Sequence, residues 1–534
     1  MIARPGPARI RTLPGLRLRG EPVWLGIAFA LVLAAPLVAL IALAAGGDLA
    51  YVSHLSTTRL AEFTTTSLAL VLLAGGLAAC IGIGAAFLVS RYEFPGRRFL
   101  DWALLLPLAM PGYIAAYAWY DMTAPGGPVY RATDGSVPTV AGLGGGALVF
   151  ALTLYPYVYL LVRNVLAMNG PKHREVARSL GVHGWELFRR IDLPTVWPAA
   201  AAGVALVAME VLADYGVGDF LGIPTFTVGI VRAWSSFGDP AAAAQLAVLL
   251  LFASMLALGA ERASRGRRRF GSAVTGFERE RLRPGLREAA MLACALPLLL
   301  GLVAPLLHLI GLALDVRSAR PVLPAIQGTL LLATISAALA VMIGLACAYT
   351  VRGGGRFARF AVRAVQAGYA VPGAVAAIAV LAFLVIVQAG AEWLRVGGTI
   401  ALTGGSIAAL LFAYQVRFAA IAILPAETAL ARVSTSLDEA ARSLGARHVT
   451  ILHRIHLPLI SAGLGAAAVL VGIEVIKELP ATMILRPFSL DTLAVTAHNF
   501  ASDERLEQAA FPSLLLLAIS IPATAMLNLL RTSQ

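Results

Sequence analysis

Twelve stretches of about 20 predominantly apolar residues run through this 534-residue chain, and nothing else restricts its fold as much. A bilayer's hydrocarbon core, about 30 Å thick, is crossed by roughly 20 residues of helix rising 1.5 Å each. The stretches lie near 23–46, 64–90, 99–120, 141–165, 196–214, 241–260, 288–314, 325–350, 361–388, 401–424, 459–478 and 508–530. Only 13% of residues are charged and 59% are hydrophobic. Soluble domains carry about 25% charged residues, so a soluble globule of this size would lack the polar surface to cover itself. The expected class is an all-α integral membrane protein with twelve transmembrane helices. Five arginines precede the first stretch and Ala42-Leu43-Ala44 resembles a signal-peptidase site. Its apolar run is nonetheless far longer than the ~7–15 residues of a signal peptide's core, so a retained span is expected. Cys80, Cys294 and Cys347 all fall inside apolar runs and read as small packing residues.

A net charge of +13 would suit nucleic acid only if it formed a basic patch on a folded domain. Instead the basic residues cluster between apolar runs. With the amino terminus placed in the cytoplasm, 33 of the 42 basic residues, Arg417 among them, count as cytoplasmic. That bias follows the positive-inside rule and puts both termini in the cytoplasm. The charge becomes a topology signal, with inner-leaflet lipids as its partners and no role for nucleic acid.

The chain also repeats itself. EVARSLGVHGWELFRRIDLP (175–194) and EAARSLGARHVTILHRIHLP (439–458) agree at ten of twenty positions without a gap, 264 residues apart. The same spacing relates Glu210 to Glu474, and similar spacings relate Pro111-Gly112 to Pro372-Gly373 and Ile81-Gly82 to Ile343-Gly344. Two homologous halves of six spans each would share one orientation, a parallel repeat about the membrane normal. The expected organisation is a cytoplasmic tail (1–22), a first half (23–260, with a loop at 172–195), an Arg-rich cytoplasmic linker (261–287) and a second half (288–534, with a loop at 436–458).

Both matched stretches fall in a cytoplasmic loop between the fourth and fifth spans of their half. A loop that keeps ten matched residues after duplication marks a shared binding task. The pattern predicts two short helices around a glycine turn. In the second copy Ser436 and Glu439 fit a capping box, Ala440, Ala441, Leu444 and Ile451 give apolar spacing, Gly445 permits the turn and Leu457-Pro458 ends it. Ala177, Leu180, Trp185, Phe188, Ile191 and Gly181 play those parts in the first. A short apolar-faced helix off the membrane suits a groove on another protein, although a helix lying on the bilayer would show a similar pattern.

Glu-x-Ala-x-x-x-Gly followed by Ile-x-Leu-Pro in a cytoplasmic loop resembles the EAA signature of permease subunits in binding-protein-dependent ABC importers. The carrying residues are Glu175, Ala177, Gly181, Ile191, Leu193 and Pro194, then Glu439, Ala440, Ala441, Gly445, Ile455, Leu457 and Pro458. Val176 stands where the signature has alanine. The resemblance implies that each loop is a coupling helix seated in an ATPase subunit. A doubled copy looks like a fused permease pair that needs no second permease chain. Residues 209–251 and 476–500 resemble the fused ferric-iron permeases of this superfamily, in the cytoplasmic (inner) membrane of bacteria, served by an external binding protein. Thiamine, polyamine, phosphonate and inorganic-anion permeases look alike.

An ATP site of the Walker A type needs a lysine between glycine and Ser/Thr. The two lysines, Lys172 and Lys477, stand in Pro-Lys-His and Ile-Lys-Glu. This chain therefore lacks that site, and ATP with magnesium is expected on a separate ATPase, in two copies facing the two loops. No catalytic constellation or bound cofactor is expected. His448, His453 and His456 read as a polar helix surface, since the first copy replaces them with Gly184, Arg189 and Asp192, and no metal site is assigned. Intramembrane ionisable residues are functional candidates by default. Glu210, Asp214, Glu474, Lys477 and Glu478 are read as a lining for a cation or, alternatively, as mutually paired charges, Lys477 with Glu478 or Glu474. Pro111 and Pro372 interrupt the third and ninth spans at equivalent places, as helix breaks beside transport pathways do. A twelve-helix secondary transporter shares this layout but has no use for the doubled loop motif.

Overall fold

The computed structural model describes residues 23–46, 59–168, 172–236, 238–265, 279–315, 322–393 and 405–532. The expected tail 1–22, linker residues 266–278 and the start of the tenth apolar run lie outside the described residues. The first half runs α1 Val23–Gly46, α2 Leu60–Arg91, α3 Arg97–Ala103, α4 Gly112–Thr123, α5 Gly142–Met168, α6 Lys172–Ser179, α7 Gly184–Leu187, α8 Leu193–Ala213, α9 Gly216–Phe220, α10 Phe226–Ser235 and α11 Pro240–Arg265. The second runs α12 Leu286–Leu298, α13 Ala304–Asp315, α14 Leu323–Gly353, α15 Arg356–Gln366, α16 Gly373–Trp393, α17 Ile407–Ala431, α18 Thr435–Ser443, α19 His448–Ile451, α20 Leu457–Lys477, α21 Pro480–Leu485, α22 Leu493–Ser502 and α23 Leu506–Thr532. Among the described residues, eleven helical stretches are long and apolar enough to cross a membrane. The count reaches twelve when a bent pair, 97–109 with 112–132, whose axes turn through 93°, is taken as one span. The all-α membrane class expected from sequence is the class observed, with eleven to twelve candidate spans among the described residues.

Close packing explains one of the repeated dipeptides. A Cβ on Gly82 would come within 2.9 Å of the Tyr155 carbonyl oxygen on α5, and one on Gly344 within 2.9 Å of the Ala422 backbone on α17. Without a driving force from water, helices in lipid associate by letting backbones approach where residues are small. The Ile-Gly pair thus marks the same α2–α5 and α14–α17 crossing in each half.

The halves exchange their first spans. Helix α1 lies against α14, α15 and α16 of the second half, where Thr350 Oγ1 donates to the Val23 carbonyl at 3.1 Å. In return the α12–α13 span packs against the first half. Trp119 Nε1 of α4 donates to the Leu300 carbonyl at 3.1 Å, and His308 of α13 sits 2.7 Å from Asp121. One continuous apolar core draws residues from both halves. The only strand pairing among the described residues joins β1 Tyr92–Glu93, just after α2, to β2 Glu280–Arg281 of the linker. Cys294 and Cys347 are buried as expected, whereas Cys80 is exposed on the outer face of α2.

Candidate functional site

The sequence places proline at the head of α4 and of α16, and the structure breaks the chain there in the same way twice. A 3-10 turn (Leu106–Ala109, Ala367–Ala370) leads into an extended residue, and the proline precedes the new helix. Proline cannot donate the bond that would continue the first segment. These breaks leave room between the halves for a cavity of about 110 Å³. Its wall holds Pro111, Glu210, Asp214, Glu474, Lys477 and Glu478, so six of the seven residues singled out from sequence converge on one space. Pro372 is not itself in the wall, but its neighbour Gly373 is packed so tightly on Glu478 that a Cβ there would overlap the carboxylate.

The acids do different work. Asp214 Oδ1 accepts the Val217 amide at 2.7 Å and Glu478 Oε1 accepts the Ala481 amide at 3.1 Å. At equivalent positions, each accepts an amide from the first turn of the short helix that follows, α9 or α21. Glu478 also pairs with Arg417 of α17, both almost wholly buried. Glu210 Oε1 accepts hydrogen bonds from Tyr157 at 3.2 Å and Tyr369 at 3.0 Å. Its counterpart Glu474 takes Lys477 Nζ at 3.2 Å. Of the ion pairs considered from sequence, Lys477–Glu474 forms, while Glu478 takes Arg417 instead of Lys477. Four carboxylates thus face two cations, with the phenol groups of Tyr113, Tyr157 and Tyr369 beside them.

Arg417, Tyr113 and Tyr157 of the wall, and Tyr369 bonded to Glu210, escaped the sequence reading. Arg417 was counted as a cytoplasmic charge, but it lies in the middle of α17, paired inside the bundle. Its signal was a lone charge inside an apolar run. Tyr157 and Tyr369 carry no comparable signal. Among the described residues, no group of three or more His, Cys, Asp or Glu is arranged to hold a metal ion.

The doubled loops fold as two short helices about a glycine. Gly181 (φ +85°) and Gly445 (φ +79°) occupy the left-handed region that a side chain strains. Paired bonds close each turn: Gly181 and Val182 donate to the Arg178 and Ala177 carbonyls, and Gly445 and Ala446 to those of Arg442 and Ala441. Ala177 and Ala441 turn inward, while Glu439 and Ala440 are exposed. Leu180 (77% exposed) and Leu444 (88%) protrude at the tips, and Ile191 and Ile455 are half-buried. Glu175 lies on α6, its side chain outside the described residues.

Three local expectations need correction. Helix α18 begins at Thr435 with Ser434 as its N-cap, so Ser436 lies inside the helix and does not cap it with Glu439. Leu457-Pro458 does not end its loop. A π-helical turn (Phe188–Asp192, Leu452–His456) carries each loop straight into α8 or α20. The wider turn accommodates a proline that lacks an N–H. His448 and His453 are exposed, but His456 is buried against Asp438 and Tyr349. The partner that holds it, Asp438, comes from a helix 18 residues away in sequence.

Residues 78–263 and 340–533 each match the family of binding-protein-dependent transport system inner membrane components. The chain belongs to that family and carries its domain twice, which makes it a multi-pass membrane component of a transport system that works with an ATPase and a substrate-binding protein. Over 479 residues it is 25% identical to the Fe(3+)-transport system permease protein FbpB 2 of Haemophilus influenzae, spanning 86% of this chain and 88% of that one. It is 32% identical over 203 residues to the sulfate transport system permease protein CysT of Escherichia coli, covering 36% of this chain and 72% of the relative. The corresponding figures for CysW of Escherichia coli are 27% over 185 residues, 33% and 64%.

Proposed function

We propose that this chain is the complete permease of an ABC importer for ferric iron, both halves of the pathway being supplied by one polypeptide. The observation that carries the reading is the wall between the halves, where Glu210 with two tyrosines and Glu474 present oxygen donors beside Asp214 and Glu478. A hard trivalent cation favours carboxylate oxygen. The external binding protein would deliver the ion and the acids would pass it on as cargo. Two ATPase copies, carrying ATP and magnesium, would dock on the two glycine-turn loops, with both chain termini on their side of the bacterial inner membrane and anionic lipids against the basic loops. The chain then needs no second permease and hydrolyses nothing itself.

Arg417 and Lys477 favour a second reading, in which the cargo is an oxyanion such as sulfate. Each of these cations already faces a carboxylate, which lowers its attraction for an anion. Accumulation of radiolabelled ferric iron in cells with and without the gene tests the proposal. Iron uptake that depends on the gene and is not competed by sulfate, phosphonate, thiamine or polyamine supports it. Gene-dependent sulfate uptake without iron uptake overturns it.

A further inference from the structure

Each loop is fastened to its half through a buried acid. In the second half Asp438, on the loop helix α18, is 1% exposed. Its Oδ2 accepts Arg352 Nη2 at 2.8 Å, and its Oδ1 lies 2.6 Å from His456 Nε2. Arg352 ends α14 and also donates to the Leu430 carbonyl near the end of α17. His456 closes the π-helical turn and meets the Tyr349 hydroxyl of α14 through Nδ1. In the first half the arginine is Arg91, at the end of α2, and it lies 3.4 Å from Asp192. Asp192 is the residue equivalent to His456, and the residue equivalent to Asp438 is Arg174. Acid and base have changed places between loop helix and π turn.

We infer that Arg352, Asp438 and His456 are positioning residues that hold the second loop in register with its bundle, and that the first loop uses the same lock with its acid transposed. The transposition has a mechanical consequence. In the second half the arginine grips the loop helix itself. In the first it grips the π turn, and the loop helix is tied through Arg178 to Glu280 of the linker strand β2. The two loops therefore meet their ATPase copies through different mountings. Leaving one member of a buried pair without its partner is strongly destabilising, so the acid and base can move only together. This inference rests on the reading of the loops as ATPase docks.

The test uses the full chain co-expressed with its ATPase in three variants: Asp438→Arg, Asp438→Arg with His456→Asp, and Leu444→Asp at the exposed tip. The readouts are the ATPase retained on purification and the melting temperature of the solubilised chain. Asp438→Arg should lower ATPase retention at least about tenfold. The double variant, which copies the first loop's arrangement, should restore retention to within about threefold of the parent. An undiminished single variant, or a double variant as defective as the single, overturns the inference. If Leu444→Asp keeps its ATPase while the double variant recovers the melting temperature lost in the single, the lock stands and the docking reading falls.

Discussion

Tyr369 belongs to the second half and Glu210 to the first, and the 3.0 Å hydrogen bond between them ties this wall acid across the duplication. The residue equivalent to Tyr369 in the first half is Leu108, so Glu474 receives no matching phenol and takes Lys477 instead. The duplicated acids thus offer unlike environments, one carboxylate ringed by neutral donors and one paired with a cation. Replacing Glu210 and Glu474 together by glutamine should abolish uptake while leaving ATPase retention unchanged. Transport at the parent rate would remove the cavity from the pathway.

Tyr157→Phe with Tyr369→Phe tests the neutral donors alone. Hydrogen bonds to a charged group are worth about 1.5–3 kcal/mol, so the pair should change the uptake rate by about tenfold or more. The change should appear in initial rates of labelled cargo at saturating binding protein.

The Arg417–Glu478 pair calls for a different comparison. Arg417→Ala strands a buried carboxylate and should cost about 3–5 kcal/mol, whereas Arg417→Met with Glu478→Gln should cost much less. Thermal unfolding in detergent would show the single variant melting well below the double. If the two melt alike, the pair contributes little to the fold.

Leu180→Asp with Leu444→Asp alters only protruding tips. Exposed substitutions usually change stability by less than about 0.5 kcal/mol, so the melting temperature should hold while ATPase retention falls.

Gly82 and Gly344 mark backbone contacts. Gly344→Val should cost about 1–3 kcal/mol by forcing α14 from α17. Gly472→Val is the control, since a Cβ at Gly472 meets nothing within 4 Å.

Much of this was legible in the residues because the physics acting on it is local. Pro111 and Pro372 each stand at a helix break, and Gly181 and Gly445 sit where only glycine turns without strain. Charges in apolar runs revealed Glu210 and Glu474 because burial in lipid restricts charge so severely. The same rule applied to Arg417, but assigning basic residues by side of the membrane absorbed it into a loop. What the sequence hid was non-local. His456 resembles a surface histidine until Asp438 is seen beneath it. Leu193-Pro194 and Leu457-Pro458 resemble stops until the π turn accommodates them. Tyr157 and Tyr369 are recognisable only by what they touch.

The exchange of first spans sets a constraint in time. Helix α1 leaves the ribosome roughly 300 residues before the α14 surface it packs against, a wait on the order of 15–60 s at about 5–20 residues per second. Through most of that interval it has only α11 of its own half to pack against, and the first half is missing the α12–α13 span that will cover α4. Cutting the gene within the linker would yield two fragments that each insert but reach a stable state only when both are present in the same membrane.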